Sequence, residues 1–407
     1  MTSRIILIVS TFPKLSETFI VNKFIGLVDI GLDVHLIAEN RNTANWQYFS
    51  ILKEKKYKNR FHYSWPHSNK IFTLLLYPII SLISLIKAPK RSIKYLILGS
   101  RILGWKVAKY FYLDHKVLVQ NPKIIHFEFG AIARERMYLK DLLGVKIIVS
   151  FRGYDINYVG LSNQNFYRRV WEKADHIHFL GDDLRQRAIS RGCPSELNYS
   201  LIPPAIDSDY FYNINREYPI ENEISNGKFK ILSVGRIEWK KGYEYGLKAI
   251  KLLRDQGVNC EYTIIGDGNY LEAITFARHQ LGLEKNVKFL FLQPHEIVKE
   301  QMLQADVFLH PAVSEGFCNA VIEAQAMGLP VICSNADGLR ENVSNGVTGF
   351  VVPRRNSEAL AEKLRELYFH PELRRKMGLA GRERVQRKFK LSSQIDAFNS
   401  LYCSLIF

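Results

Sequence analysis

Two stretches of the chain place charged side chains where they could hold a phosphorylated ligand. In residues 231–242 an apolar run ends in Gly235 and Arg236. Lys240 and Lys241 follow, and Gly242 opens a helical pattern. A guanidinium and an ammonium therefore stand just past the carboxyl end of a strand and beside a helix N-terminus. There, free N–H groups and the helix dipole also favour negative charge, which suits a diphosphate. An ordinary strand–loop–helix with solvated basic residues fits this segment equally well. In residues 314–343, SEGFCNAVIEAQAMGLPVICSNADGLRENV, Glu315 precedes a glycine and a helix is expected to begin near Cys318 or Asn319. Glu323 then falls in the first turns of that helix, so the two acids are not a same-face helical pair. The N–H groups around residues 317–319 can meet a phosphate or a sugar hydroxyl. A carboxylate beside a nucleotide commonly accepts ribose hydroxyls, whereas an acid near a helix N-terminus is also simply a favourable charge.

The ordered set is more specific than any one piece. Arg236 and Lys241 stand in G-R-x(4)-K-G, and Glu315 and Glu323 form E-x(7)-E. Gly328, Pro330, Val331, Glu341, Val343 and the run GFVVP at 349–353 follow in order. This pattern resembles the retaining glycosyltransferases of family 4. The resemblance implies the GT-B fold, two doubly wound Rossmann-like domains facing each other across a deep cleft. It further implies that Arg236 and Lys241 bind the diphosphate of a nucleotide-sugar donor, that Glu323 binds the ribose and that Glu315 contacts the donor sugar. Gly316, Phe317, Cys318 and Asn319 match the loop and helix start that touch sugar and phosphate through backbone groups. Residues 292–294, ending in Pro294, match a base-contacting loop.

The likeness extends into the first half, leaving out about 40–120. Residues 10–20, STFPKLSETFI, resemble the variant of exopolysaccharide-type members such as colanic acid glycosyltransferases. Ser16 is expected to cap the following helix with Glu17 beside it; contact with donor or acceptor is the other reading. Segments 125–130, 149–156 and 201–211 continue the match. Two positions depart from it. Arg152 stands where many members carry a histidine that contacts the donor sugar, and Glu128 stands where others carry a small or neutral residue. Arginine cannot act as a base. It can hydrogen-bond a sugar hydroxyl or an anionic group, with Asp155 as a candidate partner, or it can pair with Asp155 and only shape the loop. His126 reads as a structural strand-end residue.

These residues need parallel sheets to position them. Short β-branched runs at 5–10, 34–38, 124–127, 146–151 and 177–180 alternate with amphipathic stretches. The series restarts with runs at 230–234, 261–265, 287–290, 307–309, 330–333 and 350–352. Helical patterns at 17–28, 164–173, 243–256, 269–281 and 320–327 separate them. Continuous apolar strands between helices imply sheets covered on both faces. The polar stretch 207–228, with Pro219 and Gly227, has the composition of a linker. The expected domains are 1–210, an acceptor-binding domain joined by a C-terminal helix at 388–407, and 225–387, a nucleotide-sugar-binding domain.

Composition sets the outer bounds. The 407 residues are 47% hydrophobic and 24% charged, so the chain is globular and large enough for two domains. The net charge of +16 favours anionic partners without choosing among them. Five cysteines without C-x-x-C spacing argue against a disulfide framework or a zinc site. The apolar start MTSRIILIVST reads as a first strand rather than a signal peptide. The uncharged run 71–86 is too short to span a bilayer. Residues 70–116 hold nine Lys or Arg and one acid, Asp114, among aliphatic and aromatic residues. This suits a surface resting on anionic lipid; two core-packed helices with solvated basic faces read equally well. Asp207-Ser-Asp209 mimics a metal motif of another transferase fold, and Gly266-Asp-Gly268 mimics part of a dinucleotide fingerprint. No metal, no cofactor and no nucleic acid are expected.

The resulting expectation is a cytoplasmic, peripherally membrane-bound hexosyltransferase. It would use a UDP- or GDP-sugar and a glycan or lipid-linked acceptor in cell-surface polysaccharide synthesis. Its rivals are a nucleotide-sugar epimerase of the same fold and a non-catalytic basic protein binding membrane or nucleic acid.

Overall fold

The computed structural model describes residues 3–14, 17–64, 70–208, 210–211 and 227–406. The chain forms two compact units, Met1–Ile202 with Gln394–Phe407, and Pro203–Ser393.

The first unit is built on a seven-stranded parallel sheet. Its strands are β1 (Ile5–Phe12), β2 (Val34–Arg41), β3 (Phe61–Tyr63), β4 (Ile124–Phe127), β5 (Lys146–Phe151), β6 (His176–Phe179) and β7 (Tyr199–Leu201). They lie in the order β3-β2-β1-β4-β5-β6-β7. The second unit holds β8 (Phe229–Val234), β9 (Cys260–Ile265), β10 (Val287–Phe291), β11 (Val307–His310), β12 (Val331–Ser334) and β13 (Gly349–Val352). Their order is β10-β9-β8-β11-β12-β13. All the pairings are parallel, from β1 on β2 to β12 on β13. Strands such as Ile5–Val9 and Val307–Leu309 are fully buried because helices cover both faces.

Two strands have no apolar signature in the sequence. β3 (FHY) and β7 (YSL) are three residues long, lie at the sheet edges, and carry half-buried or exposed side chains. An edge strand buried on neither face needs no continuous hydrophobic run.

The division between units falls at Ile202/Pro203 rather than within the polar stretch that follows. Residues 203–211 already belong to the second unit. The Ile206 N–H donates to the Phe389 carbonyl at 3.1 Å, the Leu391 N–H donates back to Ile206 at 3.1 Å, and Ile206 and Phe211 enter the second core. The chain returns to the first unit at Gln394, within the helix Leu391–Ile406. That helix packs Ile395, Phe398 and Tyr402 onto the first sheet. Lys23 Nζ lies 3.7 Å from the Phe398 ring centroid, and Ile395 fills the space left open by Gly26. Among the described residues, no helix is long and apolar enough to cross a membrane.

Phe398 is 1% exposed and touches the rings of His126 and His178 as well as Lys23. Phe398→Ala should cost about 3–5 kcal/mol. A wild-type urea or thermal midpoint in this variant would show that the helix is not part of the first unit's core.

Candidate active site

In the second sheet the strand order reverses between β8 and β11. Ligands of open α/β sheets bind at the carboxyl ends of strands at such a point. The chain leaving β8 carries Arg236 and Lys241; the chain leaving β11 carries Glu315. A short 3-10 turn, Trp239–Lys241, aims Lys241 inward, and Gly242 (φ 64°) then starts the helix Tyr243–Asp255. A side chain at Gly242 would put its Cβ 2.4 Å from the Pro311 carbonyl oxygen, so only glycine lets the two loops meet. The N–H groups of Val313 and Ser314 donate to the Lys240 carbonyl at 2.7 and 3.2 Å.

Lys241 Nζ donates to Glu315 Oε2 in a buried ion pair. His310 Nε2 lies 3.4 Å from the same oxygen, and its Nδ1 lies 3.9 Å from Cys318 Sγ. Burial alone would push the Glu315 carboxyl up; Lys241 and His310 more than offset it and hold it at about 2. Burial would likewise lower Lys241 and His310. Glu315 foremost for the lysine, and Cys318 with Glu315 for the histidine, leave both raised. The site thus keeps an ammonium and a carboxylate fully charged out of water.

The loop that carries Glu315 is clamped from β12. Asp337 accepts the Ser314 hydroxyl at 2.5 Å and the Glu315 N–H at 3.1 Å. Gly338 donates to the Glu315 carbonyl at 3.0 Å. Asn342 takes the Cys318 N–H at 3.3 Å and donates to the Cys318 carbonyl at 3.2 Å. The helix Asn319–Ala326 starts there with Cys318 as N-cap. Among the described residues, the N–H groups of Gly316, Phe317 and Asn319 donate to no acceptor. The Cys318 N–H, by contrast, is already engaged.

Arg236 does not join the buried pair. Its guanidinium is 56% exposed and holds Glu238 at 2.6 Å, with Lys240 on the same acid at 2.9 Å. Glu323 lies inside the helix, 9% exposed, and no described residue hydrogen-bonds its carboxylate. Burial pushes it up to about 7. Pro294 caps the helix His295–Gln304 beyond β10, at the far edge of the sheet.

In the metal-motif mimic, Asp207 Oδ1 accepts the Tyr210 N–H at 3.1 Å, and Asp209 lies outside the described residues. Gly268 sits in a tight turn against Ile237, whose N–H donates to the Asp267 carbonyl at 2.9 Å. His310, Glu315 and Cys318 offer ligand atoms within 4.8 Å of one another. A cation there would have to displace the Lys241 ammonium from Glu315.

In the first unit, Arg152 pairs with Glu128, not with Asp155. Its Nη2 donates to Glu128 Oε2 at 2.8 Å, its Nε donates to the Glu128 carbonyl at 3.1 Å, and its plane lies 4.0 Å from the Phe19 ring centroid. Asp155 instead accepts the backbone N–H of Arg152 at 3.0 Å and of Ala131 at 2.9 Å. The other Glu128 oxygen accepts Lys23 Nζ at 2.6 Å. Beyond Lys23 the contacts define the histidine tautomers. His178 Nε2 donates to the Ile202 carbonyl at 2.8 Å, so its Nδ1 accepts from Ser150 at 2.7 Å. Ser150 in turn accepts from His126 Nε2 at 2.7 Å, leaving His126 Nδ1 to accept from Lys23 and Tyr402. Burial keeps both imidazoles neutral, His178 at about 3 and His126 well below the usual range. His126 is thus a structural histidine. Ser16 lies outside the described residues; Glu17 occupies the N-cap position and pairs with Lys14 at 2.7 Å.

Residues 215–384 match the model of glycosyl transferases group 1. The amylovoran biosynthesis glycosyltransferase AmsK of Erwinia amylovora is 28% identical over 383 residues, which is 88% of this chain and 88% of that protein. Residues 215–384 are thus similar to the glycosyl transferases group 1, and the relative matched along most of the chain is a glycosyltransferase. The putative colanic acid biosynthesis glycosyltransferase WcaL of Escherichia coli K12 is 27% identical over 87% of both chains. The crystal structure of Anabaena Alr3699/HepE in complex with UDP superimposes with a TM-score of 0.74 over 99% of this chain and 100% of that one; at 14% identity this likeness speaks for the fold, which is GT-B.

Motif spacing singled out Arg236, Lys241, Glu315 and Glu323 in this transferase but passed over His310, Asp337, Asn342 and Lys23. Asp337 and Asn342 sit in the same quoted segment, in ADGLREN, where an Asp-Gly turn followed by an Asn is the only signal of a clamp.

The elevated Glu323 carboxyl has a thermodynamic signature. Between its ordinary value of 4.5 and about 7, the folded state binds more protons than the unfolded state. Stability present below pH 4.5 is therefore lost as pH rises through 7. Glu323→Gln should match the wild-type thermal midpoint at pH 4 and be more stable by about 3 kcal/mol at pH 8. Equal midpoints at pH 8 would mean that the carboxylate has a partner.

Proposed function

We propose that this hexosyltransferase moves a sugar, with retention at the anomeric carbon, from a UDP- or GDP-sugar to a glycan or lipid-linked acceptor of a cell-surface polysaccharide. The observation that carries the reading is the charged Lys241–Glu315 pair at the strand-order reversal, beside unengaged N–H groups at Gly316, Phe317 and Asn319 and the unpartnered Glu323 carboxyl. A diphosphate would draw on Lys241, on Arg236 after it leaves Glu238, and on those N–H groups. Ribose hydroxyls would donate to Glu323. Glu315, kept ionised by Lys241, would accept hydroxyls of the donor sugar.

The bond from the anomeric carbon to the diphosphate oxygen breaks, and a bond to the acceptor oxygen forms on the same face. The acceptor proton goes to the departing diphosphate oxygen. Stabilisation of that developing charge by Lys241 and Arg236 is the main catalytic contribution. Arg152 remains the candidate for a sugar hydroxyl or an anionic group; with Glu128 and Phe19 fixing it, its role is to position rather than to move protons. No metal is required, because the positive charge is supplied by side chains. The surface-polysaccharide setting is proposed from the amylovoran and colanic acid relatives.

A thermal-shift panel of nucleotide sugars should identify the donor, and anomeric proton coupling in the product should report retention. Lys241→Ala should lower kcat/KM about a hundred- to thousandfold in a folded protein. Activity should persist in excess EDTA. A wild-type rate for Lys241→Ala, an inverted product or loss of activity in EDTA would each overturn the corresponding part.

A further inference from the structure

Residues 70–120 form a helical layer on the first unit. Its elements are Lys70–Lys87, Pro89–Leu103, Val107–Leu113 and His115–Gln120. The inner face of this layer is locked down. Asp114, fully buried, accepts the hydroxyls of Tyr95 and Tyr138, each at 2.7 Å, and pairs with Arg136. Ser84 meets His115 Nδ1 at 2.6 Å, and the Ser92 hydroxyl donates to the Ser84 carbonyl at 2.9 Å. Ile80, Ser84, Ala88 and Tyr95 turn inward with them.

The outer face has the opposite character. On the first helix Leu75, Ile79, Leu82 and Ile86 are exposed, Leu75 to 66% and Ile86 to 70%. Their spacing, i, i+4, i+7 and i+11, puts them on one stripe, opposite Ile80 and Ser84. On the second helix Ile93 and Ile97 are exposed, and Trp105, at the turn that follows, is 86% exposed. Around these apolar side chains stand Lys87, Lys90, Lys94, Arg101 and Lys106, all exposed. The only acid between residues 70 and 116 is the buried Asp114. An aliphatic stripe with a protruding tryptophan, bordered by cations and free of exposed acids, is complementary to an anionic interface with an apolar layer beneath it.

We propose that the outer face of residues 75–109 docks this transferase onto an anionic lipid bilayer. Trp105 and the Leu75–Ile86 stripe enter the acyl boundary, and the lysines rest among the headgroups. The helices lie in the interface plane, since none is long and apolar enough to span it. The inference is independent of the donor-site reading, because it uses neither its residues nor its chemistry.

The test is co-sedimentation of the full chain with phosphatidylcholine vesicles and with phosphatidylcholine–phosphatidylglycerol vesicles, at low and high salt. The expected result is binding to the phosphatidylglycerol vesicles that weakens with salt. Lys90→Ala with Lys94→Ala should weaken it about 25-fold, at roughly fivefold per lysine. Ile79→Ser, Ile86→Ser and Trp105→Ser together should weaken it by at least about tenfold. All five side chains are exposed, so thermal midpoints and nucleotide-induced stabilisation should stay at wild-type values. Equal partition onto both vesicle types, no partition, or unchanged partition in both variants would overturn the proposal. So would a solution dimer that the serine variant dissociates, which would assign the face to a second copy of the chain.

Discussion

The second unit is organised around one buried ion pair, Lys241 with Glu315. It joins the segments leaving two adjacent strands at the place where strand order reverses. Taking two charges out of water is expensive, and a buried pair often adds little net stability compared with apolar packing. Its retention is therefore a poor device for holding the fold and a good one for holding charge. The supports around it fit that purpose. Gly242 lets the two loops approach, Asp337 fixes the backbone of Glu315, His310 adds a second contact to its carboxylate, and Asn342 anchors Cys318 at the head of the following helix. Each support acts on position, so the Lys241 and Glu315 charges are held in place before any ligand arrives.

The buried charges around Glu128 in the first unit are instead satisfied internally. Glu128 pairs with both Lys23 and Arg152, and a chain of hydrogen bonds passes from the Lys23 ammonium through neutral His126, Ser150 and neutral His178 to the Ile202 carbonyl. This chain links the ends of β4, β5 and β6 under the cover of Phe398 and Tyr402. Lys23 is brought down to about 8 chiefly by burial, with Glu128 opposing the shift. A group so nearly balanced stays protonated near neutrality because its carboxylate is there. In the second unit, by contrast, Arg236 is more than half exposed in its pair with Glu238, and no described residue hydrogen-bonds the Glu323 carboxylate.

The fold was legible wherever burial dictates sequence. Strands covered on both faces appear as apolar runs, and β4 and β5 begin and end where those runs do. β3 and β7 were not legible, because short edge strands carry no such constraint. Arg236, Lys241, Glu315 and Glu323 could be singled out because they stand at fixed spacings, G-R-x(4)-K-G and E-x(7)-E, within two short segments. His310, Asp337 and Asn342 do their work through contacts that the fold alone creates. A histidine ending a strand or an aspartate before a glycine looks like ordinary punctuation in one dimension. The Arg152–Glu128 bond is a case of the same kind: residues 24 apart, each just past the end of one of two adjacent parallel strands, meet only once the sheet has formed.

That bond also changes the meaning of two apparent anomalies. Taken singly, Arg152 in place of a histidine and Glu128 in place of a small neutral residue are separate departures from the family pattern. In the structure they are one feature. A lone arginine in that position would be a largely buried cation next to the Lys23 ammonium, and a lone glutamate would be a fully buried anion facing Lys23 alone. Together the three groups carry a single net positive charge, oriented by two guanidinium bonds to Glu128 and by the Phe19 ring. The guanidinium can donate further hydrogen bonds but cannot accept a proton, so it can hold a polar group but cannot act as a base. Converting it to the histidine of other members would leave Glu128 with one cation in place of two. Arg152 and Glu128 therefore belong together, each accounting for the presence of the other.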